Sequence, residues 1–400
     1  MKAFDLEACV QFLQRLIQTR SLPGREEAIA RVVHREMEQL GFDQVREDEA
    51  GNVIGLIRGR GEAPPVMLNT HLDHVDVGDE SRWPWPPFAG EIHEGRVWGR
   101  GAMDIKGPLA AQVYGVAPLA QEPPAGDVYV SAVVQEEVGG LGARHLSTHL
   151  PIPLVVVGEA SHNRLRRGHR GRTELTLHVR GRSVHASVPE TGVNPLFVVA
   201  RFLTALASLE MGEDPELGSS SLAATLIRTD QTSANVLPGE AWLTLDWRNI
   251  PGETGEDVRQ RLEATARTCL IEGSTAGVEI PTFQLKSFAG LEMEYSSYQP
   301  AYVIPESHPA LTGAKKALDP VTEVRAETEL WRFATDAGHF ADAGMLVIGF
   351  GPGQEGLAHT VEESISIADL DVGMQANLAL ARDWPTLALR AGFDGLGAGF

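Results

Sequence analysis

His71 and Asp73 stand two residues apart, just after a short apolar run at residues 66–68. That spacing suits a metal ligand. One imidazole nitrogen binds, and the aspartate accepts a hydrogen bond from the other, which fixes the tautomer and raises basicity. Asp104 lies inside Gly99-Arg100-Gly101-Ala102-Met103-Asp104-Ile105-Lys106-Gly107, where glycines permit tight backbone conformations around one carboxylate. It reads as a second ligand. Taken singly, each residue is more often a satisfied polar group than a ligand, so the partners decide. They are Glu136, Glu137, Glu159 and His359. Nitrogen plus carboxylate ligands suit zinc, with cobalt or manganese as alternatives. Two histidines and three carboxylates exceed what one open catalytic zinc takes. They fit two ions, each with a histidine and a carboxylate of its own and a bridging carboxylate between them. One acid is then left over.

The spare acid is informative. Glu136 and Glu137 are adjacent, and in a regular strand they would point to opposite faces. Here the strand gives way to Val138-Gly139-Gly140, where both can turn inward. One can bind metal while the other stays free as a general base. Paired ions ~3.5–4 Å apart polarise a carbonyl and lower the pKa of a bridging water towards ~7. A free glutamate takes that water's proton and passes it to a leaving nitrogen. The set describes amide hydrolysis. Without the other ligands, Glu136-Glu137 would read as an exposed acidic loop.

These groups need elements to position them. Four apolar runs, residues 66–68, 128–134, 154–157 and 345–350, each deliver a carboxylate or histidine at or soon after their ends. Near-continuous apolar strands between helical segments predict an α/β fold, a mixed, mostly parallel sheet sandwiched by helices. In such sheets the site lies outside the carboxyl ends of the strands. Helical spacing marks residues 5–19, 25–40, 309–318 and 367–384. The middle of the chain reads as strand 174–179, helix 194–209, strands 221–227 and 241–247, helix 254–270 and strand 277–285. That β-α-β-β-α-β order is ferredoxin-like. The expected organisation is a catalytic metal-binding domain at 1–170 and 289–400, interrupted by an α+β domain at 171–288. The glycine-rich tail, 391–400, is expected to be poorly ordered.

Composition narrows the class. At 400 residues the chain has room for two domains. A net charge of −20 argues against nucleic acid or an anionic membrane as partner. Cys9 and Cys269 cannot make a disulfide framework, which points to a reducing, cytoplasmic location. The N-terminus carries acid where a signal peptide needs its apolar core, and no run approaches membrane-spanning length. The basic cluster at 164–172 reads as a pocket rim or an interface.

With these residues in place, the chain resembles the di-zinc metallopeptidase family of acetylornithine deacetylase, succinyl-diaminopimelate desuccinylase, aminoacylase and the carboxypeptidase G type. The resemblance rests on HLD at 71–73, GRGAMDIKG at 99–107, QEEVGG at 135–140, GEAS at 158–161, GHRG at 168–171, GRSVHASVPETGVNP at 181–195, NVLPG at 235–239, DWR at 246–248 and GFGPG…AHTVEE at 349–363. They follow family order over nearly the whole chain. The resemblance implies that His71 and Glu159 hold one metal, that Glu137 and His359 hold the other, and that Asp104 bridges both. It implies Asp73 as support for His71, Glu136 as general base, and a cis peptide after Asp104. It makes the inserted domain a lid and dimerisation domain. From there His185 would reach the neighbouring subunit's site to stabilise an oxyanion, and Asn235 and Arg248 would bind substrate. An arginine fork suits a substrate carboxylate, although most surface arginines simply pair with an acid.

Departures limit what carries over. Relatives have a glycine-rich Thr-Asp-Ala/Gly-Arg segment before the last strand that helps to hold the substrate carboxylate. Thr335 and Asp336 match it, but Gly338 stands where arginine is common, and Phe333 and Ala334 replace glycines. Trp331, Arg332 or His339 could reshape the pocket. His74 and Asp76 also depart from the first motif.

The expectation is a di-metal amidohydrolase. Its substrate would be an N-acyl amino acid or, as the alternative, the end of a short peptide. Glu159 and the GFGPG…AHTVEE segment resemble deacylase-like members. The rival from another class is a catalytically dead binding protein, which would be expected to have lost a ligand or the base.

Overall fold

The structure, a computed structural model, describes residues 5–321 and 327–394. Residues 395–400 of the glycine-rich tail lie outside the described residues.

Four strands form the centre of a nine-stranded sheet. In spatial order they are Val128–Val133, Val66–His71, Leu154–Val157 and Leu346–Gly349, all parallel to their neighbours. They are valine-rich, and every residue except Tyr129 is buried, as a sheet covered on both faces requires. Antiparallel strands flank them. Val53–Ile57 and then Gln44–Glu47 extend one side. Leu165–His169 and then Tyr302–Val303 extend the other, with Thr328–Trp331 parallel to Leu165–His169.

Helices Leu6–Gln18, Glu27–Gln39, Gly107–Val116, Leu141–His149, Pro309–Leu318 and Ile367–Arg390 share one apolar core with this sheet. Leu6–Gln18 shows why they form. Cys9, Val10, Phe12, Leu13, Leu16 and Ile17 make a buried stripe at helical spacing, and the Asp5 carboxylate caps the Ala8 N–H.

The chain between these parts makes a second sheet. Its antiparallel order is Ser221–Thr229, Glu240–Arg248, Arg172–Arg180 and Thr275–Glu279, with Tyr298–Gln299 added to Arg172–Arg180. Buried and open positions alternate along Arg172–Arg180 and Glu240–Arg248. The inward residues meet Val198, Phe202, Val258 and Leu262 of helices Pro195–Leu206 and Gly255–Thr268 in a separate core. The strand and helix order is the ferredoxin-like one the sequence predicts.

Two expectations need correction. The strand at 277–285 is two strands in different sheets, Thr275–Glu279 and Thr282–Lys286, separated by Ile280-Pro281. Proline has no N–H for a ladder, so pairing stops there. Thr282–Lys286 instead pairs with Glu292–Ser296, and Leu285, Phe288, Leu291 and Met293 pack against the main core. The helix that Asn194 caps ends at Leu206 rather than 209. The basic cluster at 164–172 does line a pocket, through Arg164, Arg166 and Arg167. It contains the fully buried strand Leu165–His169 of the main sheet. Arg166 is paired with Glu329 and Glu355, and Arg167 with Glu216 and Glu306, which is how these charges can be buried.

Candidate metal centre and its cleft

The carboxyl ends of the parallel strands converge on one cluster. His71 ends its strand and is 2% exposed. Its Nε2 lies 3.3 Å from Asp104 Oδ1 and 3.6 Å from Glu159 Oε1. His359 Nε2 lies 3.2 Å from Asp104 Oδ2 and 3.2 Å from Glu137 Oε1. Asp104 thus faces one histidine with each oxygen, and each histidine has a further carboxylate of its own. His71, Asp104 and Glu137 offer donor atoms within 4.8 Å of one another.

Local structure explains the convergence. Asp104 sits in a loop entered through Gly99 and Gly101, both at positive φ, and the Asp104–Ile105 peptide is cis. The buried Lys106 ties this loop to the end of the first helix through the Thr19 carbonyl at 2.9 Å. Glu136 and Glu137 follow their strand through Gln135, at φ 58°, and occupy a single 3-10 turn, Glu136–Val138. This turn brings both acids to the cluster, as the break at Val138-Gly139-Gly140 allows. Glycine is required at 140, where a Cβ would stand 2.6 Å from Asp336 Oδ1. His359, at φ 61°, is another non-glycine residue in the left-handed region.

Asp73 does more than the sequence suggests. Its backbone carbonyl is 3.1 Å from His71 Nδ1 and its Oδ1 3.4 Å away. Its carboxylate, fully buried, accepts the backbone N–H groups of Glu136 and Glu137. Nothing in the spacing of the sequence links Asp73 to that turn.

The electrostatics call for cations. Burial raises Glu159 to about 8, and Asp104, Asp336 and Glu137 push the same way against His71. Burial also holds Glu136 well above the ordinary carboxylate value; His71 opposes this, while Asp336, Glu159 and Glu137 add to it. Glu137 is raised by burial and by Asp104, against its hydrogen bond to His359. His359 is pushed up to about 10 by its hydrogen bonds to Asp104 and Glu137. Carboxylates that crowd each other this closely are stabilised by bound cations, and the nitrogen–oxygen donor set fits two divalent ions. Glu136 has no histidine partner and remains as the free acid of the set.

A cavity of about 280 Å³ opens on the cluster. Besides the acids and His359, it is walled by Met103, Ala160, Phe333, Ala334, Glu355 and Ala358. Glu355 was not anticipated. It is held at 2.5 Å by Arg166, which is buried in the sheet.

Other expected site residues fall elsewhere. Thr335 and Asp336 are 1% and 2% exposed and do not line the cavity. Thr335 instead donates its N–H to His169 Nε2 at 3.3 Å and accepts from the Ala337 N–H. Asp336 nevertheless stands close enough to the cluster to raise Glu136 and Glu159. His185, Asn235 and Arg248 do not line the cavity either. His185 is exposed and bonded to Ser187, Asn235 accepts from Ser233, and Arg248 pairs with Asp246 at 2.7 Å. Trp331 is core, with its indole N–H on the Ala160 carbonyl. His339 is buried against Gly140. His74 is buried and accepts the Ser21 N–H.

The family model described as peptidase family M20/M25/M40 matches residues 67–383. The uncharacterized protein YgeY of Escherichia coli (strain K12) is 30% identical over 375 residues, 90% of this chain and 91% of that one. A succinyl-diaminopimelate desuccinylase of Caulobacter sp. (strain K31) is 31% identical over 270 residues, 64% of this chain and 70% of that one. The crystal structure of a tripeptidase from Staphylococcus aureus subsp. aureus Mu50 matches with a TM-score of 0.75 at 20% identity, covering 96% of this chain and 99% of the other. At that identity the structural likeness is one of fold.

Proposed function

The chain belongs to peptidase family M20/M25/M40 and is a metal-dependent hydrolase, and from that premise we propose that it removes the acyl group from a small N-acyl amino acid. One observation carries the reading. Asp104 presents one oxygen to each of two histidines, and Glu136 stands free in the same cleft. His71 and Glu159 would hold one ion, Glu137 and His359 the other, with Asp104 between them. Zinc suits this donor set best. Two divalent ions, when bound, supply a polarised carbonyl and a more acidic water. Glu136 takes the proton of the attacking water and delivers it to the leaving nitrogen.

Deacylation is favoured over exopeptidase action by the similarity to the Caulobacter desuccinylase and by the glutamate at position 159. The cavity of about 280 Å³ suits a small substrate. The test is initial rates with zinc or cobalt on N-acetyl, N-succinyl and N-formyl amino acids beside dipeptides and N-blocked peptides, with a chelated control. Faster turnover of peptides with a free C-terminus would replace this reading with exopeptidase action.

The unit built on the second sheet is proposed as a lid and a dimerisation surface. Ser221–Thr229 is an edge strand that exposes Leu226 and Ile227 at 70% and 56%, and Phe197 of helix Pro195–Leu206 is 62% exposed. An apolar edge of this kind invites a second copy. In such a dimer His185 would serve the neighbouring site, and Asn235 and Arg248 would meet substrate on lid closure. Light scattering that finds a fully active monomer would remove this part. No helix among the described residues is long and apolar enough to cross a membrane. The buried, unpaired Cys9 and Cys269 support a cytoplasmic location.

A further inference from the structure

Glu363 lies four residues beyond His359 and is fully buried. Its Oε1 accepts the backbone N–H groups of Met103 at 3.1 Å and Asp104 at 3.0 Å. Its Oε2 accepts from Arg100 Nη1 at 2.6 Å. Arg100 is 3% exposed, sits 4.9 Å over the Trp83 ring, and reaches the Asp76 carbonyl at 3.4 Å. The Glu363 carbonyl accepts the Gly99 N–H, and the next residues, Ser364–Ser366, pair antiparallel with Arg96–Trp98. The segment that carries His359 is therefore fastened to the loop that carries Asp104.

We propose that Glu363 is a positioning residue that sets the separation of the two ion sites. The inference rests on the two-ion reading of the centre. Glu363 holds the N–H of Asp104, and the Asp104 side chain then points one oxygen at each histidine. His71 stands at the end of a central strand and cannot shift with the loop. His359 stands on an irregular segment, with a half-exposed ring. Loss of the tie therefore separates Asp104 from His359 first, and the ion held by His359 and Glu137 is the one released.

The test compares two double variants, in each of which the buried partners Glu363 and Arg100 lose their charges together. Glu363→Gln with Arg100→Met keeps an amide oxygen for the two N–H groups. Glu363→Met with Arg100→Met removes it at similar volume. Zn²⁺ alone is titrated calorimetrically into chelator-stripped protein, and the stripped proteins are melted by circular dichroism. The Gln variant is expected to bind two ions near wild-type affinity. The Met variant is expected to lose about 10–100-fold in affinity for one ion only, while still melting cooperatively without metal. Equal binding by the two variants overturns the inference. So does loss of the cooperative melt in the Met variant, because Glu363 would then serve the fold rather than the ions. A wild-type chain that binds fewer than two ions overturns the two-ion reading itself and the inference with it.

Discussion

Asp73 holds Glu136 by its backbone: the Glu136 N–H donates to Asp73 Oδ1 at 3.1 Å, and the Glu137 N–H donates to Oδ2 at the same distance. One buried carboxylate beside His71 therefore also orients the turn that carries the free acid and a metal ligand. Asp73→Asn keeps one acceptor and opposes a donor to the other N–H. Activity is expected to fall about 10–100-fold, with weaker metal binding. Steady-state rates alongside metal content check this. Unchanged values for both would show that Asp73 does not govern the turn.

Glu136→Gln preserves volume and removes the proton acceptor. kcat is expected to fall about 10²–10⁴-fold, the worth of a general base. Metal stoichiometry should stay at the wild-type value, because Glu136 forms no hydrogen bond or ion pair with His71 or His359. Near-normal turnover by a fully loaded variant would assign the base elsewhere.

The ligand geometry predicts an order of metal loss. Asp104 faces both histidines, so Asp104→Ala should abolish stoichiometric binding of both ions. His359→Ala should remove one, since His71 keeps Asp104 and Glu159 within 3.6 Å. Metal analysis after dialysis reads the difference. A single shared loss in both variants would mean that the cluster holds one ion. Chelation should abolish turnover, and added zinc or cobalt should restore it.

Much of this centre was legible because most of its acids and histidines follow a distinctive apolar run, while glycines mark the loop of Asp104. Valine-rich segments ending at His71, Glu136-Glu137 and Glu159 read as parallel strands, and parallel strands deliver their ends to one edge. The strand Leu165–His169 was hidden. It carries Arg166, Arg167 and His169, which look solvated until Glu216, Glu306, Glu329 and Glu355 arrive from distant segments. Glu363 was hidden for the same reason, since its partners are backbone N–H groups 259 and 260 residues away. Thr335 and Asp336 likewise owe their place to distant segments. Their types suit substrate binding, but their burial follows from packing that no local pattern reveals.

The histidines buried near that segment predict an acid limb in stability. His169 is lowered to about 4, chiefly by burial, which outweighs its backbone hydrogen bonds at Arg170 and Thr335. His339 is lowered to about 3 by burial, then by Arg144 and His169. Both are neutral when folded and titrate near ~6.5 when unfolded. The unfolded chain thus binds more protons below pH ~6.5, and folding weakens as pH falls. The contribution of His169 is complete above pH ~6.5 and lost by about pH 4, a change of about 3 kcal/mol at one pKa unit per ~1.4 kcal/mol. In metal-stripped protein the raised carboxylates, Glu159 at about 8 among them, act with the opposite sign, so the histidine contribution is read as a difference: the urea midpoint of wild type should fall relative to that of a variant without His169 as pH drops across that window. His169→Gln can still accept from Thr335 and donate to the Arg170 carbonyl, and it cannot titrate. It should flatten the limb while losing some stability at pH 7.5, where the packing of His169 against Tyr302 is gone. An unchanged acid slope in that variant would place the titration on other groups.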